Sequence, residues 1–225
     1  MLPLKDLNRS STTPHVNRLL LIANIIVFTV LWLSSQNILL DERFSNIVAN
    51  EFVMVPNEIV HGQRLYTLIT SMFMHAGWIH LLGNMLYLYI FGDNVEDAFG
   101  HISYLLFYIT CGLAAAFAHI MSLTNPADFD VAVLGASGAI SGVLGAYVVF
   151  YPKARIITLL GYIIVPLPAI LFLGFWFVMQ WLYGFFDVSG GVAYWAHVGG
   201  FIAGMILAFA FGLRRKRARE ARLRL

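Results

Sequence analysis

Residues 135–142 read Gly-Ala-Ser-Gly-Ala-Ile-Ser-Gly and lie near the start of a long uncharged apolar segment, Val133 to Tyr151. Sixty residues after Ser137, His197 lies inside a second apolar segment, Val192 to Leu213. Polar and ionisable side chains are costly inside a bilayer, so those that persist there are candidates for a functional role. A potential nucleophile and a potential base in two such segments indicate hydrolysis within a membrane.

The composition is that of a membrane protein. Of 225 residues, 60% are hydrophobic and 12% are charged, whereas soluble domains contain about 25% charged residues. A helix needs about 20 residues to cross roughly 30 Å of hydrocarbon. Six segments are predicted to do so: Val16 to Ser35, Ile79 to Phe91 with polar-tolerant flanks, Ile102 to Leu123, Val133 to Tyr151, Pro166 to Phe186 and Val192 to Leu213. The sequence therefore predicts an all-α, polytopic membrane protein with six transmembrane helices.

Two stretches interrupt this pattern. Asp93, Glu96 and Asp97 follow the second span and predict that its helix ends in a polar cytoplasmic turn. The apolar stretch from Ile156 to Pro168 contains a glycine and two prolines and is predicted to be a connector at the membrane interface. We expect residues 1–225 to form a single membrane-embedded domain with cytoplasmic tails at 1–15 and 214–225.

The basic residues predict the orientation. Twelve of the fourteen lie on one side of the predicted spans: Lys5, Arg9, Arg18, Lys153, Arg155, Arg214, Arg215, Lys216, Arg217, Arg219, Arg222 and Arg224. Since cytoplasmic loops near span ends retain Lys and Arg, both termini are expected in the cytoplasm. We expect the protein in a prokaryotic cell membrane. We interpret the basic C-terminal tail as an anchor on anionic lipid rather than a nucleic-acid site.

Four polar residues are predicted at similar depth. At 1.5 Å per residue, Ser137 lies about 21 Å above the cytoplasmic end of its span, and His197 lies roughly 7 to 8 Å below the outer end of its own. His80 and Asn84, one helical turn apart, share a face of the second span. All four are expected in the outer third of the membrane.

Glycines are predicted to bring the fourth and sixth spans together. Small residues let helices approach closely where lipid supplies no hydrophobic driving force. The fourth span carries Gly138, Gly142 and Gly145, and the sixth carries Gly200 and Gly204. Such a crossing would place Ser137 beside His197.

The residue types favour a serine hydrolase. A serine hydroxyl becomes nucleophilic when a base within hydrogen-bond reach takes its proton, and the sixth span offers His197 without any acid. The prediction is a Ser-His dyad without a carboxylate. Ser137 is expected at a helix start, where amides and the positive dipole end favour an oxyanion, and His80 and Asn84 supply further donors.

Other chemistries match the sequence less well. Ala139 replaces the last glycine of the Gly-x-Ser-x-Gly elbow, which argues against an α/β-hydrolase. His75, His80 and His197 are conceivable metal ligands, yet there is no His-Glu-x-x-His motif and no thiolate cluster. We therefore predict neither a metal nor a cofactor.

Two further functions stay open from the residues alone. A transporter or channel would line a polar path with His80, Asn84 and His197. Such sites typically lie at the midplane on broken helices within repeats, and no repeat is evident here. A catalytically inactive binder of membrane helices would not need both Ser137 and His197.

Three stretches resemble the rhomboid intramembrane serine proteases. They are residues 75–84 (His-Ala-Gly-Trp-Ile-His-Leu-Leu-Gly-Asn), residues 135–138 (Gly-Ala-Ser-Gly) and residues 196–200 (Ala-His-Val-Gly-Gly) followed by Gly204. The resemblance extends over residues 62–213. It implies a six-helix core, Ser137 as nucleophile, His197 as general base, and His80, Asn84 and the Ser137 amide around the oxyanion.

The resemblance also implies how substrates are used. They would be membrane proteins, cut in transmembrane or juxtamembrane segments near the outer surface, with a small residue before the cut. Because a helix hides its carbonyls, Gly, Pro or polar residues near the cut should assist unwinding. The family further implies an interfacial first loop and a fifth helix that gates lateral access. Here that gate is predicted from an aromatic run packing against the second span near Gly83: Phe175, Trp176, Phe177, Trp181 and Tyr183.

Two positions depart from the family pattern. Tyr66-Thr67 stands where a Trp-Arg pair is often found in the first loop, although Arg64 is close by, and Ser141 stands where some relatives have a tyrosine that packs on the histidine ring. These departures concern the anchoring of the loop and the support of the histidine, and they leave the dyad intact. Glu96 matches an acidic position for which we expect a structural hydrogen-bonding role.

Overall fold

Helices dominate the computed structural model, which describes residues 1–186 and 191–217. In chain order they are α1 (His15–Ser35), α2 (Glu42–Phe52), α3 (Pro56–Val60), α4 (Thr67–Thr70), α5 (Trp78–Phe99), α6 (His101–Ser122), α7 (Ser137–Phe150), α8 (Ala169–Phe185) and α9 (Tyr194–Leu207). A π-helical turn, Ala208–Gly212, extends α9. Residues 187–190 and the part of the predicted C-terminal tail from residue 218 to 225 lie outside the described residues.

Several helices have the character of membrane spans. Within the described ranges, three are long and apolar enough to cross a bilayer: α1, α6 and the continuous helix Tyr194–Arg217. Shorter apolar helices are α7 and α8. The fold is therefore that of a mostly helical membrane protein.

The acidic residues do not end the second predicted span, because α5 continues through them to Phe99. Glu96 is fully buried and accepts hydrogen bonds from the backbone amides of Val16 (3.0 Å) and Asn17 (2.7 Å). Asp97 accepts from the backbone amide of Ser11 (3.0 Å). Glu96 thus satisfies amides that the first turn of α1 would otherwise leave unpaired, and Asp97 holds the segment that precedes the helix. The structural role expected for Glu96 is thus confirmed.

A three-stranded antiparallel sheet corrects the all-α prediction. Its strands are β1 (Leu2–Asp6), β2 (Arg155–Leu160) and β3 (Ile163–Pro168), in the order β1-β2-β3. The stretch predicted as an interfacial connector is the β2–β3 hairpin, which turns at Gly161 with φ +62°. Branched apolar residues favour strands, and a turn with positive φ favours glycine. The first residues of the chain, predicted as a tail, supply the third strand.

The close crossing of α7 and α9, predicted from their glycines, is confirmed. A Cβ added at Gly200 would lie 2.1 Å from the carbonyl oxygen of Gly138, and one at Gly204 would lie 2.0 Å from that of Gly142. At Gly145 it would lie 2.1 Å from the carbonyl oxygen of Phe201. Backbone therefore meets backbone along this crossing, which only glycine permits.

Candidate active site

Ser137 is the first residue of α7, and the preceding loop is built to place it there. Gly135 has φ +121°, a conformation that L side chains rarely adopt, and its amide donates to the carbonyl of Ser71 (2.9 Å). Backbone hydrogen bonds of 3.1 and 2.7 Å between Met54 and Val133 tie the first loop to the same segment. The hydroxyl of Ser137 thus lies at a helix N-terminus, as the sequence predicted.

His197 lies in the first turn of α9 and contacts Ser137 directly. Its Nε2 is 2.8 Å from the Oγ of Ser137, and its Nδ1 is 2.8 Å from the Oε1 of Gln180 on α8. Because an amide oxygen only accepts, this arrangement places the ring proton on Nδ1. Nε2 is then free to accept the hydroxyl proton of Ser137, which is the geometry that a general base requires.

Gln180 was not anticipated from the sequence. The signal was available, since it is the only amide or charged side chain in α8. The choice of His197 as its partner depends on how α8 packs on α9, which the chain order does not reveal.

His80 and Asn84 both lie in the first two turns of α5. A Cβ added at Gly135 would lie 2.7 Å from His80 Nε2 and 3.7 Å from Ser137 Oγ, so the imidazole borders the serine. The side-chain amide of Asn84 donates to Nε2 of His75 (2.9 Å). The rings of His75 and His80 pack edge to face with centroids 5.0 Å apart. His80 therefore lies beside Ser137, and Asn84 is linked to His80 through His75.

Ser141 does not support the histidine ring. Its buried hydroxyl instead donates to the carbonyl oxygen of Ser137, one turn earlier in α7 (2.6 Å). The ring of His197 is accompanied by the indole of Trp176, with centroids 5.9 Å apart and planes inclined by 35°. The packing contact with the imidazole that a tyrosine on α7 would provide comes here from Trp176 on α8.

Arg64 anchors the first loop. Its guanidinium forms two hydrogen bonds with the carboxylate of Glu58 (2.8 and 2.9 Å) and another with the carbonyl of Asn50. The hydroxyl of Tyr66 donates to the carbonyl of Glu51 (3.2 Å). Arg64 and Tyr66, which lie at or beside the position that departs from the family pattern, are thus held by local contacts within the first loop.

The aromatic run on α8 does not pack as predicted. The ring of Phe177 packs against that of Phe201 on α9, with centroids 4.7 Å apart. Phe177 also lines a groove together with Trp181 and residues of α9. A Cβ added at Gly83 on α5 would meet no atom within 4 Å. The predicted contact of these aromatics with the second span near Gly83 is therefore wrong. Within the run, Trp176 and Phe177 contact Phe201 of α9, and Tyr183 contacts Tyr194.

No group of three or more His, Cys, Asp or Glu side chains within the described ranges is arranged to hold a metal ion. Of the three histidines considered as ligands, His75 already accepts from Asn84, and His197 already contacts Ser137 and Gln180. The chemistry available at the site is that of serine, imidazole and amide groups.

The fold is that of a helical membrane protein. Ser137 and His197 form a candidate hydrolytic site within its apolar helices, and these two features define the class of the protein. The family model for the Rhomboid domain matches residues 62–214. This chain therefore belongs to the rhomboid family.

Individual relatives agree with that assignment. The chain is 33% identical over 156 residues to RHOMBOID-like protein 1 of Arabidopsis thaliana, covering 69% of this chain and 37% of the relative. It is 32% identical over 169 residues to Rhomboid protease GluP of Bacillus subtilis, covering 74% and 30%. It is also 30% identical over 159 residues to the mitochondrial RHOMBOID-like protein 6 of Arabidopsis thaliana, covering 68% and 45%. The chain thus spans less than half the length of these three relatives.

Proposed function

We propose that this protein is an intramembrane serine endopeptidase in which Ser137 is the nucleophile and His197 the general base. The observation that carries the proposal is the 2.8 Å contact between His197 Nε2 and Ser137 Oγ, with Nδ1 bonded to Gln180. The likeness to a relative named as a rhomboid protease supports the same activity.

The chemistry follows from the positions of the proton and the lone pair. His197 Nε2 takes the hydroxyl proton while Ser137 Oγ attacks the scissile carbonyl carbon. The imidazolium then gives this proton to the leaving amine as the peptide C–N bond breaks and an acyl-enzyme remains. A water molecule, deprotonated by the same nitrogen, releases the acyl group and restores the serine.

The negative charge that forms on the carbonyl oxygen needs donors near Ser137. We assign this role to the Ser137 amide, to His80 and to Asn84. An Asn amide has two N–H groups, so the bond from Asn84 to His75 leaves the second available. Donors fixed before the reaction stabilise developing charge without reorganisation.

We propose one membrane-embedded domain with six spans, formed by α1 and α5 to α9. Ser137, His80 and His197 lie near the first residues of α7, α5 and α9, whereas α7 ends shortly before Lys153 and Arg155. Basic residues mark the cytoplasmic side, so we place both termini in the cytoplasm and the opening of the site on the extracytoplasmic side. We propose a prokaryotic cell membrane as the location.

The substrates we propose are membrane proteins with helix-destabilised transmembrane or juxtamembrane segments. Cleavage requires access of a backbone carbonyl to Ser137, and a continuous helix keeps its carbonyls bonded. Gly, Pro or polar residues near the cut lower the cost of local unwinding. No cofactor or nucleic acid takes part.

The test compares three variants on a transmembrane reporter substrate and on a fluorophosphonate probe. Ser137→Ala and His197→Ala should each abolish cleavage, because the two groups act as one unit. Ser141→Ala is the matched control, since this serine lies one turn away and bonds only to a backbone carbonyl among its described contacts. It should still cleave the reporter and react with the probe.

The outcomes separate the protease from its rivals. Substantial turnover by Ser137→Ala would overturn the proposal. A wild-type protein that neither cleaves nor labels would favour an inactive binder of helices. Ion or solute flux that depends on His80 and Asn84, without labelling, would favour a transporter or channel.

A further inference from the structure

We infer that Gln180 is a positioning residue for His197, whose amide oxygen takes the place of the carboxylate that the site lacks. It fixes the imidazole as the Nδ1–H tautomer and orients Nε2 toward Ser137. The inference rests on the proposed function of the Ser137–His197 pair and assigns a third residue to it.

The contact geometry carries the inference. Gln180 Oε1 lies 2.8 Å from Nδ1, and Ser137 Oγ lies 2.8 Å from Nε2 of the same ring. In a neutral imidazole one nitrogen donates and the other accepts. The bond that one nitrogen makes therefore decides the tautomer and the role of the other. When Nδ1–H donates to Gln180, the nitrogen left to act as the base is Nε2, which faces the hydroxyl of Ser137.

The surroundings leave Gln180 as the orienting group. In the described part of the chain, the titratable groups that act on His197 are the imidazoles of His80 on α5 and His119 on α6. Neither is a carboxylate. An ionised acid buried among apolar helices carries a large desolvation cost, whereas a neutral amide supplies an acceptor without that cost.

Helix α8 holds the ring in two directions. Trp176 and Gln180 are four residues apart and so lie on one face of α8. The indole of Trp176 lies against the imidazole, while Gln180 bonds its edge. Because Ser141 bonds to a backbone carbonyl instead, the orientation of the base depends on α8 rather than α7.

The first experiment separates positioning from general structure. Gln180→Met replaces the amide by a thioether, a much weaker acceptor, at similar volume. It should lower kcat about 10- to 100-fold, the loss typical when the partner that orients a metal-bound histidine is removed. KM should change less than about twofold, because substrate binding is untouched. Gln180→Glu restores an acceptor and should recover part of kcat. The acid limb of its pH–rate profile should move to higher pH, since a carboxylate favours the imidazolium.

The matched control is Leu171→Ala, an exposed apolar position on the same helix, which should leave kcat and KM near wild type. Unchanged kcat in Gln180→Met, or equal losses in Gln180→Met and Leu171→Ala, would overturn the inference. Failure of Gln180→Glu to exceed Gln180→Met would also contradict it.

The second experiment needs no substrate. In ¹⁵N-histidine spectra of the whole protein, assigned with His197→Gln, the His197 signals should show a protonated Nδ1 and an unprotonated Nε2. Gln180→Met should lose this fixed tautomer. A proton on Nε2 in the wild-type protein would mean that the amide of Gln180 donates instead, and the inference would be wrong. Conversely, the predicted tautomer in a protein that cleaves nothing would refute the proposed function and leave the positioning intact.

Discussion

Gly200→Ala tests how the helix crossing holds the site together. Gly200 lies three residues after His197, and Gly138 directly follows Ser137. A Cβ at Gly200 would lie 2.1 Å from the carbonyl oxygen of Gly138, whereas ordinary contact begins near 3.4 Å. Because that oxygen belongs to helix backbone and cannot rotate away, α7 and α9 must separate locally by about 1.3 Å.

This separation falls on the catalytic contact. If it acts along the 2.8 Å line from Ser137 Oγ to His197 Nε2, the distance grows to about 4 Å, beyond hydrogen-bond range. Misplacement of a reacting group by about 1 Å costs about 100-fold in rate. We therefore expect Gly200→Ala to lower turnover about 100-fold.

The stability effect arises from the same contact. Overpacking costs about 1–3 kcal/mol, and the cost lies at the upper end here because the contacted atom is helix backbone. Replacing glycine by alanine within a helix returns about 1 kcal/mol. The free energy of unfolding should therefore fall by about 2 kcal/mol, which thermal denaturation detects separately from the loss of turnover.

The assay measures cleavage of a transmembrane reporter in liposomes alongside thermal denaturation of the same preparations. Gly174→Ala on α8 is the matched control, because a Cβ there meets no atom within 4 Å. It should retain full turnover. Near-wild-type cleavage by a folded Gly200→Ala variant would refute the reasoning, and an equal loss in Gly174→Ala would show that the assay reports a general helix effect.

Three further outcomes are expected. Burial and the nearby Asp93 raise the pKa of Asp6 to about 6, so the stability that its protonation contributes is present below about pH 4 and lost as the pH rises through 6. Asp6→Asn should therefore raise Tm at neutral pH and flatten the dependence of Tm on pH around 6; an unchanged slope would contradict this. EDTA should leave cleavage unchanged, and activity lost with the chelator and regained with zinc would disprove the serine mechanism. Asn84→Ala should lower kcat more than it raises KM, because its bond strengthens as charge develops, and a pure KM effect would indicate substrate positioning instead.

Much of the helical fold and the neighbourhood of Ser137 follow from the sequence by simple physics. Apolar length predicts spans, and the rise per residue places a polar group at a depth without knowledge of the packing. Glycines at matching positions predict the α7–α9 crossing because backbone contact excludes every larger residue. These signals are local, and so they can be read along the chain.

The features that sequence reasoning missed depend on partners distant in the chain. Strand β1 pairs with β2, which begins at Arg155, so Leu2–Asp6 has no partner until the fold brings the two together. Short apolar runs do not by themselves distinguish strands from other apolar segments. Gln180 is a single polar residue in an apolar helix, and its role depends on which face of α8 meets His197.

The two ends of α5 differ in how they are held, and this bears on access to the site. Near its C-terminal end, Glu96 bonds the start of α1, and Phe91 stacks with Phe172 of α8 at a centroid distance of 6.4 Å. Two turns nearer the site, Gly83 has open space beside it. A substrate helix approaching there would meet backbone rather than packed side chains. Under the proposed function, an α8 that moves to admit a substrate must keep its contact with α9, because Gln180 holds His197 through it.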